Sequence, residues 1–173
     1  MSGLCIENIR ENETPEQGIY LTILHADKIP PHLGLCIDHH FFSLKVSGKE
    51  IIPRKNLERA IEFKKIPSIF MRIRSNTSPH NISEEAHEIF NTYSKVSIEN
   101  SCIDPIKEMM KRFFFIKNTE RIKNLHDLLP ALQEMKVVKE SYAFHLPISK
   151  NKTYIIKKYG QEEIETRIKT LGV

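Results

Sequence analysis

The sequence predicts an α+β protein with a mainly antiparallel sheet packed against a helical layer. Three observations point there. Strand-like stretches crowd into the first third of the chain instead of alternating with helices. Helix-like stretches fill the middle, and one more strand and an amphipathic tail close the chain.

Taken in order, residues 1–17 ("MSGLCIENIRENETPEQ") read as a flexible polar lead, and residues 18–173 as a single α+β domain. "GIYLTILHA", Gly18 to Ala26, is β-rich and mostly apolar, as a buried strand is. "HLGLCI", His32 to Ile37, and "FFSLKV", Phe41 to Val46, form a strand pair around the polar turn Asp38-His39-His40. "NLERAIEFKKI" predicts a helix capped by Asn56 and stopped by Pro67, and "SIFMRIRS" a strand from Ser68 to Ser75. "SEEAHEIFNTYSKV" opens with Ser83 as cap and acidic residues in its first turn, which suits a helix N-terminus. "CIDPIKEMMKRFFFI" predicts the next helix. "TERIKNLHDLLPALQEMKVV" predicts another, kinked or divided at Pro130. "ESYAFHLPI", Glu140 to Ile148, reads as the final strand, and the tail is amphipathic from Gln161 onward.

With 173 residues, 40% of them hydrophobic and 28% charged, the chain is long enough to bury a sizeable core. The net charge of +4 is spread through interspersed lysines and glutamates, so composition prompts no nucleic-acid partner. There is no GxxxxGK[ST] or GxGxxG loop to hold a nucleotide, and no cofactor is expected. The three cysteines, Cys5, Cys36 and Cys102, follow no paired or CxxC spacing, which argues against a disulfide framework. The N-terminus lacks the apolar length of a signal peptide, and no run approaches the ~18 residues of a membrane span. A reducing cytoplasm is the expected compartment.

Two stretches carry candidate chemistry. Cys102 lies at or just before a helix N-terminus, with Ser101 or Asp104 as cap and Pro105 in the first turn. Unpaired N–H groups and the positive dipole end would favour its thiolate there, and Asn100 could supply an amide donor to an oxyanion. The competing reading is a small buried hydrophobe. In the other stretch, Leu33, Leu35 and Ile37 share one side of a strand, which leaves His32, Gly34 and Cys36 on the other. His32 at the strand's start can project into a cleft, with Gly34 leaving room beside it. The bland alternative is a solvated strand edge. His145 is the next-best base for Cys102, or a satisfied core histidine.

"HLGLCIDHHFFSL" resembles the H-x-G-[IV]-Y-[LV]-x-[DN]-G-x-x-[IV]-H strand–turn–strand of NlpC-type papain-like cysteine peptidases, on His32, Gly34, Leu35 and Ile37, with Asp38 approximating the turn position. Its order, with His32 some seventy residues before Cys102, is similar to the circularly permuted, lecithin retinol acyltransferase-like members. The resemblance implies a permuted papain-like fold with Cys102 as nucleophile and His32 as general base, working through an acyl-enzyme or thioester. His40 is the candidate to orient His32 from the turn. The family's polar residue at the end of the second strand is Leu44 here; Ser43 is adjacent, and a one-residue slip flips faces.

A competing constellation is His25, Asp27, His32, His39 and His40, whose donor types suit zinc or iron. Their spacing matches neither H-x-H nor H-E-x-x-H, so no metal site is assigned. The expected function is therefore a cysteine-dependent hydrolase or acyltransferase acting on an amide or thioester of a peptide, lipid or protein-tail substrate. The alternatives are a non-catalytic α+β module that binds a partner protein, or a His-rich metal-binding protein.

Overall fold

The computed structural model describes residues 3–172. Among them the chain forms β1 (Gly3–Ile6), β2 (Ile9–Glu11), β3 (Ile19–Leu24), β4 (His32–Ile37), β5 (His40–Lys45) and β6 (Gly48–Pro53). Then come α1 (Arg54–Lys64), β7 (Ser68–Ile73), α2 (Pro79–Asn91), α3 (Asp104–Phe113) and a 3-10 turn at Thr119–Arg121. The chain continues through α4 (Leu125–Glu134), β8 (Val138–Phe144) and β9 (Tyr154–Lys157) to α5 (Gln161–Thr170). A seven-stranded sheet runs β2-β8-β7-β3-β4-β5-β6, and β1 pairs with β9 in a separate two-stranded sheet. Every pairing is antiparallel except β2 with β8. The α+β expectation holds.

β3 is buried at every position, because the sheet is covered on both faces. Leu21, Ile23, Leu33, Leu35, Phe42, Ile69 and Met71 meet the apolar sides of α2, α3 and α4 in the larger core. Tyr20, Leu24, Cys36, Phe41 and Phe70 meet Leu57 and Ile61 of α1 on the other face. That is why "GIYLTIL" reads as a continuous apolar run and not as an alternation. Helices thus form two layers where one was expected. The outer sheet edges are blunted: β2 is three residues long, while on β6 the Lys49 N–H donates to Ser94 O at 3.1 Å and Pro53 ends the strand.

Several expected boundaries move. The polar lead contributes β1 and β2, whose Ile6 and Ile9 are buried. α1 starts before Asn56, with Pro53 at its N-cap and Lys65 closing it in the left-handed conformation. Ser78 caps α2 through Asn81 N–H, with Pro79 at the first helical position, so Ser83 lies inside the helix. α3 stops at Phe113. α4 is a single helix through Pro130, started by an Asn124–Asp127 capping box. β8 is not the last strand, since β9 follows it.

Candidate functional site

His32 opens β4 as expected. Leu33 and Leu35 belong to the core under α2–α4, whereas Cys36 belongs to the core under α1. Alternation along the strand therefore aims His32, Gly34 and Cys36 at the α1 side. The room expected beside Gly34 is occupied: a Cβ there would run into the Phe41 ring and stand 2.8 Å from Phe42 O. The His32 Nε2 is buried without a hydrogen-bond partner among the described residues. Burial, then the nearby Lys45 cation, hold the His32 pKa down at about 4, with Glu50 opposing. The imidazole is neutral at pH 7.

Cys102 also lies where the sequence places it, in the turn just ahead of α3, with Pro105 in the first turn. Its environment is the reverse of activating. The side chain packs against the cluster of Leu44, Val96 and Ile168, and its thiol meets the Leu33 backbone. Burial pushes the thiol pKa up, and the Asp104 carboxylate adds to the rise. Asp104 Oδ2 also accepts the Ser101 N–H at 2.6 Å, satisfying one donor of the turn.

The two residues of the expected dyad do not face each other. Cys102 sits on the α2–α4 side of the sheet and His32 points to the α1 side, with the β4 backbone between them. The cause is register: Leu33 takes the inward position over the helices, which turns its neighbour away. His40 is no orienter of His32. It pairs with Ile37, five residues along β4 and so ~17 Å away at ~3.3 Å per residue. Its ring lies 5.2 Å from that of His87 on α2. Asn100 is exposed, its carbonyl accepting Ser97 N–H at 2.7 Å, and among the described residues its side chain makes no hydrogen bond to His32 or Cys102.

Ser43 pairs with Gly34 in the ladder and shares the His32 side, donating to Glu50 Oε2 at 3.2 Å. Leu44 is the residue that faces Cys102. Lys45 Nζ closes on the same Glu50 oxygen at 2.6 Å. This polar corner of His32, Ser43, Lys45 and Glu50 depends on the β5–β6 pairing that sets Glu50 opposite Ser43, which no local sequence pattern marks.

The histidine constellation is dispersed. His25 sits in a left-handed turn position after β3, and His39 is exposed with Nε2 3.3 Å from Gln17 Nε2. Among the described residues no three His, Cys, Asp or Glu side chains gather as metal ligands would. His145 is on the α1 side, 3.2 Å from Glu62 Oε2, so it is not a base for Cys102.

A concave surface lies beside α1. Ile61, Phe70 and Phe144 floor a groove of about 180 Å³, Thr14 and Pro15 wall one side, and Glu58 and Glu62 stand on its rim. The Phe70 and Phe144 rings pack edge to face at 5.6 Å. Arg54 Nε donates to Glu58 at 2.8 Å, and Glu62 takes Lys65 and His145. The Lys65 hydrogen bond leads in holding the Glu62 carboxyl below its usual range. A helical wheel would have put the two glutamates, four residues apart, on one stripe. Nothing local showed that Phe70 and Phe144, from strands far apart in sequence, complete the floor.

Comparison with known protein families, with curated proteins and with solved structures found no match.

Proposed function

We propose that this chain is a protein-binding module whose groove beside α1 takes one long cationic side chain, lysine or arginine, from a partner protein. The observation that carries this is the pairing of an aromatic and aliphatic floor with two carboxylates on one rim. At about 180 Å³ the groove is below the ~300–1,000 Å³ of small-molecule sites. It suits a single side chain. The methylene stem would lie along Ile61, Phe70 and Phe144, and the cation would reach Glu58 and Glu62. The Lys65–Glu62 pair is exposed and worth only ~0–1 kcal/mol, so Lys65 exchanges for an incoming cation at little cost. Glu58 keeps the buried Arg54 on Oε1 and offers the incoming cation its other oxygen. The reading takes up the interaction-module alternative and does not require Cys102 and His32 to meet.

The test is an NMR titration with N-acetyl-lysine methylamide and with its uncharged analogue, N-acetyl-norleucine methylamide. The lysine compound should shift the Ile61 methyl and Phe144 ring signals at lower concentration, and Glu58→Gln with Glu62→Gln should erase its advantage. Equal responses to the two compounds, or no response in the groove, would reject the proposal.

A further inference from the structure

On the opposite side of the sheet from α1, the end of α3 presents an arrangement of a different kind. Phe114 and Ile116 are buried at 4% and 5% exposure, while Phe115 between them is 76% exposed. Phe115 has φ 53°, the left-handed position just past a helix end that ordinarily selects glycine. The backbone is wrapped there because the Phe114 and Ile116 N–H groups both donate to Met110 O, at 3.0 and 3.4 Å. A phenyl ring is thus held at the apex of a turn, unfavourable both in its backbone and in its exposure. Two buried flanking side chains fix its direction.

The chain on either side of the ring is rich in cations. Residues 111–123 carry Lys111, Arg112, Lys117, Arg121 and Lys123 against the single anion Glu120, a net +4 that equals the charge of the whole chain. All five cations are exposed. Arg112 is paired with Glu85 and Glu108, and the other four have no carboxylate within ion-pair distance among the described residues. The remainder of the chain carries 21 Lys and Arg against 21 Asp and Glu, so interspersed charges cancel there and this segment accounts for the net charge.

We infer that the Phe115 turn docks this protein onto an anionic lipid surface. Phe115 would enter the boundary between headgroups and acyl chains, and Lys111, Lys117, Arg121 and Lys123 would meet the lipid phosphates and carboxylates. A nucleic acid fits less well. Single-strand binding uses several aromatic platforms along a basic groove, whereas here one ring stands at a tip. Among the described residues no helix is long and apolar enough to cross a membrane, so the contact is with the surface. The inference is independent of the groove beside α1.

The test is co-sedimentation with phosphatidylcholine vesicles, with and without ~30% phosphatidylserine, at about 0.1 M and 0.5 M salt. Binding is expected only to the phosphatidylserine vesicles and only at the lower salt. Phe115→Gly should weaken it about tenfold or more by removing the ring. Glycine accepts the left-handed turn, so that variant should melt no lower than the parent protein. Lys117→Glu with Lys123→Glu should abolish binding. Three results would each overturn the inference: no binding to anionic vesicles, binding unchanged in Phe115→Gly, or tighter binding to poly(U) RNA than to the vesicles.

Discussion

His32 is neutral in the fold because burial, and after it Lys45, oppose a charge on its ring. Its folded pKa of about 4 lies below the ~6.5 of an unfolded histidine. Above pH ~6.5 neither state is protonated there and the shift has no effect. As pH falls from ~6.5 toward about 4, the unfolded chain takes up a proton that the fold refuses, so stability is lost across that window. The full penalty is roughly 3 kcal/mol, at ~1.4 kcal/mol per pH unit. His32→Leu should remove it. Urea unfolding at pH 7 and 4.5 should show the variant gaining about 2–3 kcal/mol on the parent protein at the lower pH. A parallel pH response of the two would mean that His32 is not buried as described. Gly34 belongs to the same reasoning. Its missing side chain admits the Phe41 ring and not a substrate. The residue types of the expected dyad were plain in the sequence, but the face each would take depended on which neighbours the helices claimed.

At the scale of elements, start signals compete, and burial decides between them. Ser83 followed by Glu84 and Glu85 resembles a helix start, yet Ile82 just before it is buried with Ala86, Ile89 and Phe90. That spacing extends the apolar stripe one turn upstream, where Ser78-Pro79 supplies the cap and the first helical residue. Ser78→Ala should therefore cost about 1 kcal/mol in chemical denaturation. Ser83→Ala should stay within about 0.5 kcal/mol, as an interior helix position. The opposite order would restore the downstream start. α1 begins early for a tertiary reason: Arg54 N–H donates to His39 O at 2.7 Å, and its guanidinium bonds the carbonyls of Pro15 and Glu16. None of those partners is local, so Asn56 looked like the better cap. β6 has no strand signature because Gly48, Lys49 and Glu50 are turn-like and its two isoleucines, Ile51 and Ile52, are adjacent instead of alternating, with Pro53 directly after them.

Over the whole molecule, the N-terminal residues are tied to the far end of the chain. β2 lies parallel to β8, and β1 pairs with β9, with Ile6 and Ile9 buried at 1% and 2% exposure. Deleting residues 1–11 should cost about 3–6 kcal/mol, at ~1.5–3 kcal/mol for each of the two buried isoleucines. The melting point should fall by about 10 °C, at ~2–4 °C per kcal/mol for a chain of this size. An unchanged midpoint would restore the dispensable polar lead. β4, β5, β7 and the α+β class were legible from sequence alone, because apolar runs, turn residues and helix periodicity act between neighbours a few residues apart. Four things were decided only by tertiary structure: the role of the lead, the second helical layer, the groove of Ile61, Phe70 and Phe144, and the separation of His32 from Cys102. Each depends on which segments, distant in sequence, share a face of the sheet, and short-range patterns carry no record of that pairing.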